Sequence, residues 1–169
     1  MCLYIDLKYH KVKKDKPIAL VAKQTILVHK MIETDGRKLF TPYSCMPINF
    51  KDDEYGMFFY KTTRFSFDKS CWDEIYYVIK GIHTFAKIED AEDSLRFLST
   101  NCGEKVKLYN AVIPKGSKFF IGRDGDIASS NLVVFKNKTK YNKNKKYFGD
   151  KPIELSEYLE KFGTELDSK

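Results

Sequence analysis

The clearest candidate for chemistry is His83, in Gly81-Ile82-His83-Thr84-Phe85, directly after the apolar run Tyr76-Tyr77-Val78-Ile79 and before an acidic helical segment. An imidazole at a strand end suits hydrogen bonding or acid–base work near neutral pH. A general base needs a partner within reach. The spacing around His83 supplies none, so the competing reading is a ring that bonds a backbone carbonyl and pins the strand–helix junction. Four other residues complete a candidate ligand-binding set. Tyr43 closes Thr41-Pro42-Tyr43, Ser129 and Ser130 put hydroxyls into the last strand, and Lys115 opens the turn Lys115-Gly116-Ser117. That turn echoes the end of a phosphate-binding loop but lacks its upstream glycine and following helix.

The thiols and carboxylates suggest no metal or cofactor. Cys2, Cys45, Cys71 and Cys102 are scattered, with no Cys-x-x-Cys pair to seed a zinc site. Free, buried thiols are expected. A thiol–imidazole pair of Cys71 or Cys102 with His83 would be a nucleophile, but no spacing argues for it. Asp124-Gly125-Asp126 is too short for a calcium loop and reads as a turn.

The formal net charge is +7, which invites an anionic partner. Lysines are spread along the chain and there are only four arginines, the residue type suited to bidentate phosphate and base contacts. Nucleic-acid binding is therefore expected to be weak and salt-dependent. No apolar run reaches the length of a membrane span, and the first residues lack the order of a signal peptide. The expectation is a soluble cytoplasmic protein with no membrane partner.

The elements that must position these residues follow from periodicity. Residues 2–9 alternate as a strand, and residues 18–32 form a long β-branched run ending at Asp35-Gly36, a hairpin signal. Residues 38–43 return, 44–56 read as a loop, and 57–67 as an aromatic, bent strand. Residues 88–100 carry Ile88, Ala91, Leu95 and Leu98 at helical spacing. Glu89, Asp90, Glu92 and Asp93 lie in the first turns, and Glu92 and Arg96 form an i, i+4 pair. Strands are expected at 105–113, 118–121 and 127–135, with turns at Pro114-Lys115-Gly116-Ser117 and Arg123-Asp124-Gly125-Asp126. Residues 136–151 hold seven Lys and three Asn and read as a surface loop. Residues 154–162 form a second helix, with Leu155, Tyr158, Leu159 and Phe162 on one face and Gly163 after it.

Three pieces together carry a resemblance: Gly81-Ile82-His83-Thr84-Phe85 with Ala91 beyond it; Val112 through Gly122 with its Ile113-Pro114-Lys115-Gly116 turn; and Ile127-Ala128-Ser129-Ser130. With Thr41-Pro42-Tyr43 upstream, the chain resembles small uncharacterised domains carried by bacteriophages and gut bacteria, over roughly residues 24–135. The resemblance implies an accessory protein of a phage or mobile element, acting in the host cytoplasm. A weaker likeness is to ADP-ribosyltransferase-like folds, which need a late catalytic Glu; none occurs between residues 105 and 153.

The expected fold is α+β: a single domain with a mostly antiparallel twisted sheet, one packed central helix and a short C-terminal helix. Residues 1–135 form the core domain, 136–151 the Lys/Asn-rich loop, and 152–169 the C-terminal helix and tail. The function expected is a non-enzymatic binding module for a host protein or a small anionic ligand such as a nucleotide. The alternative is a nucleotide-processing enzyme built around His83.

Overall fold

The computed structural model describes residues 3–34, 39–40, 57–61, 65–69, 75–102, 106–135 and 151–163. The chain is α+β with a mostly antiparallel sheet. In order the strands are β1 (Leu3–Tyr4), β2 (Val12–Lys13), β3 (Lys16–Pro17), β4 (Leu20–Val21), β5 (Ile26–Thr34), β6 (Leu39–Phe40), β7 (Met57–Lys61), β8 (Ser66–Lys69), β9 (Tyr76–Lys80) and β10 (Ile82–Phe85). Helix α1 (Ile88–Cys102) follows, then β11 (Val106–Ile113), β12 (Lys118–Ile121), β13 (Asp126–Ser129), β14 (Asn131–Phe135) and helix α2 (Leu155–Phe162). Among the described residues, no helix is long and apolar enough to cross a membrane.

The main sheet has nine strands in the order β4-β12-β13-β10-β5-β11-β14-β7, with β6 beside β5. A second sheet, β1-β9-β8, has three strands. The long apolar runs are divided between positions that their period does not reveal. Residues 18–32 break into β4 and β5, which lie at different places in the sheet. Residues 127–135 break at Ser130, where β13 leaves β10 and β12 and the chain moves to β11 and β7 as β14. The aromatic stretch 57–67 contributes to β7 and β8, which belong to different sheets.

Gly81 marks the corner between the two sheets. It separates β9, in the small sheet, from β10, in the large one. A Cβ at Gly81 would lie 3.2 Å from the Phe65 ring and from Val78 Cγ1, so side chains at the edge of the small sheet crowd this backbone. The Asp35-Gly36 turn lies outside the described residues. The pairing on either side of it, Glu33↔Phe40 and Thr34↔Leu39, is antiparallel. The 136–151 stretch up to residue 150 also lies outside the described residues, as do Cys2, Cys45, Cys71 and the Cys102 side chain.

Alternation along β5 gives the sheet two apolar faces. Ile26, Val28 and Ile32 enter the largest cluster with Ile82, Ala111, Ile113, Phe119, Ile121, Ile127, Leu132 and Val134. Helix α2 closes that cluster with Leu155 and Tyr158, and the Phe119 and Tyr158 rings meet edge to face at 5.8 Å. On the other face Met31 packs with Phe85, Val106, Ala91 and Leu98, so α1 covers it through the spacing expected of its apolar stripe. Leu3, Tyr76 and Val78 of the small sheet, with Ile5 just after β1, cover Phe120 and Ala128 further along. In α1, Arg96 pairs with Asp93 at 3.1 Å, an i, i+3 contact.

Candidate functional site

The residues singled out from the sequence are distributed, not gathered. His83 pairs with Ala128, and Ser129 pairs with Ile82, so the imidazole and the Ser129 hydroxyl leave opposite faces of the sheet. Ser129 is fully buried and its hydroxyl donates to the Asn131 carbonyl. The Ser130 hydroxyl accepts from the Lys118 backbone N–H at 3.0 Å. These hydroxyls satisfy the crossing from β13 to β14. Lys115 is exposed in a turn shaped by Gly116 at φ 85°. Tyr43 lies outside the described residues.

His83 itself sits within β10, not at a strand end, and is partly buried. Neither ring nitrogen has a hydrogen-bond partner among the described residues, so the bond expected from the ring to a backbone carbonyl is not made to any of them. What His83 contributes is its own carbonyl, which accepts from Lys30 Nζ at 2.7 Å. Burial, and then the Lys30 charge, hold the imidazole down at about 4. Burial likewise lowers the Lys30 ammonium to about 8. Both effects penalise the charged form of a desolvated base.

The site that assembles polar groups around an opening lies elsewhere, at the end of β10. There the ladder with β5 is registered at Phe85↔His29. Further along β5, Ile153 takes over in parallel beside Ile26, with Leu27 N–H donating to Ile153 O at 2.8 Å. The chain leaves β10 into the start of α1 and leaves Ile153 into the start of α2, so both helix N-termini flank the same opening. The tip of the β12–β13 hairpin forms a third wall. It is tied to the end of β10 by Ala86 N–H donating to Gly125 O, and Gly125 at φ 77° makes that turn possible. The loop at residues 6–9 forms the fourth.

The resulting cleft holds about 610 Å³ and is lined by residues of all four walls, with His29 among them. Its charged lining comprises the carboxylates of Asp6, Glu89, Asp90, Asp124 and Glu154 against Lys8, Lys87 and Arg123. A chain with a surplus of seven positive charges thus lines this cleft with more acid than base. Lys8 lies 4.6 Å from the Tyr9 ring centre, where the ring face attracts it. Beside the cleft, burial and then the charges of Asp124 and Asp90 raise the Asp126 carboxyl to about 6.

His29 is 7% exposed, and its Nδ1 has no hydrogen-bond partner among the described residues. Asn110, opposite it in the β5–β11 ladder, hydrogen-bonds the ring, a contact that favours the protonated form. Burial outweighs it and keeps the imidazole below its ordinary value. Buried polar atoms are rarely left unpaired.

His10, the chain's remaining histidine, is structural. Its Nδ1 lies 3.0 Å from Ile18 O, and its Nε2 accepts from the Ile121 N–H at 2.9 Å. This fixes the tautomer with the proton on Nδ1 and pins the loop that carries Asp6, Lys8 and Tyr9 to β12. The sequence contains a signal for His29 and Lys30: two adjacent polar residues inside the apolar run from Ile26 to Ile32. Comparison with known proteins finds no matching family model, no matching curated protein and no matching solved structure.

Proposed function

We propose that the chain is a binding module for a small molecule, held in the cleft between the starts of α1 and α2. The observation that carries this reading is the cleft itself, an opening of about 610 Å³ to which both helix starts, the β12–β13 hairpin tip and the loop at residues 6–9 bring apolar and charged side chains. A cleft of this size is in the usual range for small-ligand sites, and such sites combine apolar walls with a few convergent polar groups. Leu155, Leu159, Ile88 and Ile121 supply the apolar surface.

The test is a fragment screen by two-dimensional amide NMR on the full chain. Fragments should shift the amides of residues 86–90, 121–125 and 154–156 together, and Ser156→Trp, which fills the opening from an exposed position on α2, should abolish those shifts in a protein that still unfolds cooperatively. Hits that cluster elsewhere, or no hits in the cleft, would overturn the proposal.

A further inference from the structure

The two strands β2 and β3 pair only with each other, as a short ribbon that joins neither larger sheet. Independently of the small-molecule reading, we infer that this ribbon is a docking arm for the phosphate backbone of duplex nucleic acid.

Its charge is concentrated on one side. Residues 11–16 hold Lys11, Lys13, Lys14 and Lys16, all exposed, and a single acid, Asp15. Val12 pairs with Pro17 and Lys13 with Lys16. Side chains alternate along each strand, so Val12 and Pro17 share one face and Lys11, Lys13 and Lys16 the other. Pro17 is buried while the three lysines are exposed, so the lysine face is the outward one. The Asp15 carboxylate lies 3.7 Å from Lys69 Nζ of β8, outside the ribbon.

The ribbon is also assembled against its own local preferences. Like charges directly opposite one another destabilise an antiparallel pair, and Lys13 faces Lys16. The two turn residues, Lys14 and Asp15, both have positive φ, 49° and 56°, where Asn-Gly is the comfortable choice. What holds the ribbon is its stem. Ile18 N–H donates to Lys11 O at 2.8 Å, and the buried His10 ring reaches Ile18 O with Nδ1 and accepts from the Ile121 N–H with Nε2. The lysines are thus presented from a base fixed on β12, and a bound phosphate relieves the repulsion between Lys13 and Lys16.

Duplex nucleic acid fits this arm best. The major groove admits a two-stranded ribbon, and lysines meet phosphates as point charges. Residues 11–18 contain no arginine and no aromatic residue. The ribbon therefore lacks the fork that reads base edges and the rings on which unpaired bases stack. A bilayer suits it less well. The tip is the charged pair Lys14-Asp15, and the exposed aliphatic residues Val12 and Ile18 lie on the stem, so the tip has nothing to insert.

The test is fluorescence anisotropy of the intact protein with an end-labelled DNA duplex of mixed sequence. Binding should saturate below about 100 μM protein at about 50 mM salt and weaken roughly sixtyfold by about 200 mM, the loss expected when three lysines each displace counterions at a phosphate. Lys11→Gln/Lys13→Gln/Lys16→Gln should weaken binding at the lower salt at least tenfold and flatten the salt dependence. Lys80→Gln/Lys107→Gln/Lys151→Gln, which removes the same charge from exposed positions elsewhere, should bind nearly as the wild type does. Lys16→Glu separates docking from folding. It replaces the facing like charges with a cross-strand ion pair, so the melting temperature should hold or rise while duplex binding falls at least tenfold. Equal losses in the two triple variants, wild-type binding by Lys16→Glu, or no duplex binding at the lower salt would each overturn the inference. Tighter binding to single strands or to anionic vesicles than to the duplex would overturn it as well.

Discussion

Lys30 Nζ donates to the main-chain oxygen of His83 at 2.7 Å, joining β5 to β10 beyond their registered pair at Phe85↔His29. A buried ammonium thereby replaces a ladder bond with a side-chain one. Its pKa is lowered by burial to about 8, from an ordinary 10.5. Between those two values the unfolded chain binds a proton that the folded chain has released, so stability rises with pH across that window. Lys30→Met should remove this rise. Urea denaturation at pH 7.5 and pH 10 should show the wild type gaining about 2–3 kcal/mol relative to the variant over that interval. Parallel pH dependence in the two proteins would show that the ammonium is solvated.

His10 joins the loop at residues 6–18 to β12 through both ring nitrogens. Protonation would place an N–H against the Ile121 N–H, and burial accordingly keeps the ring below its ordinary pKa. The bond to Ile121 is fully present above about pH 6.5, the unfolded value, and is lost as pH falls through the lower folded value. His10→Ala should cost about 2–3 kcal/mol at pH 7.5, because it leaves a buried N–H and a carbonyl unpaired. Hydrogen exchange should report it directly: the Ile121 amide should lose protection selectively, ahead of Val28 and Val112 in the centre of the sheet.

Gly122 and Gly81 give a steric comparison. A Cβ on Gly122 would lie 2.9 Å from Leu3 Cγ and 3.2 Å from the Tyr4 carbonyl oxygen, whereas the nearest atoms to one on Gly81 stand at 3.2 Å and belong to side chains. Leu3 is buried and Ile5 bridges to Gly122, so β1 has little room to withdraw. Gly122→Ala should therefore cost more than Gly81→Ala, about 2 against about 1 kcal/mol. Thermal unfolding of the two variants would check the order, and equal melting temperatures would contradict it.

The parts of this fold legible in the sequence are those set by a local period. The stripe of Ala91, Leu95 and Leu98 gave α1 its face, the Leu155–Tyr158–Leu159–Phe162 spacing did the same for α2, and glycines marked the turns at Gly116 and Gly125. Sheet changes were not legible, because a strand that moves from one neighbour to another keeps its alternation. Ser129 and Ser130 read as members of a ligand-binding set, whereas their hydroxyls serve the crossing from β13 to β14. The cleft was hidden for a related reason. Its walls come from residues 6–9, 86–90, 121–125 and 154–159, which no spacing relates, and it exists because β10 stops where Ile153 begins. Asp124-Gly125-Asp126 read correctly as a turn, but only the Ala86–Gly125 bond shows which opening that turn faces.

His83 offers a prediction opposite to the one its sequence context suggests. A ring bonded to backbone would leave a partner stranded on removal, but both nitrogens lack partners among the described residues. His83→Leu removes no side-chain hydrogen bond and should leave stability at pH 7.5 within about 1 kcal/mol. Between pH 6.5 and about 4 the wild type should lose stability as the unfolded chain takes up a proton that the buried ring refuses. His83→Leu should be the more stable protein at pH 4.5, by about 2 kcal/mol once residual exposure is allowed for. Chemical denaturation at the two pH values would check both statements.

Asp126 works against the histidines over the same range. Its carboxyl is raised to about 6 by burial and by Asp124 and Asp90, from an ordinary 3.8. Between those values the folded chain holds a proton that the unfolded chain has lost, so this group adds stability as pH falls and withdraws it as pH rises through 6. Above pH 6 an ionised carboxylate is held beside two others at a cost. Asp126→Asn should remove that cost, raising stability at pH 7.5 by about 1–2 kcal/mol, with the gain disappearing by pH 4. The same variant should steepen the net acid loss, because the opposing proton uptake is gone and the histidines act alone. A melting temperature for Asp126→Asn that is unchanged at pH 7.5 would mean that solvent or a bound cation already neutralises the three carboxylates. Repeating the measurement after extensive dialysis against a large alkyl quaternary salt, too bulky to enter between them, would separate those two causes.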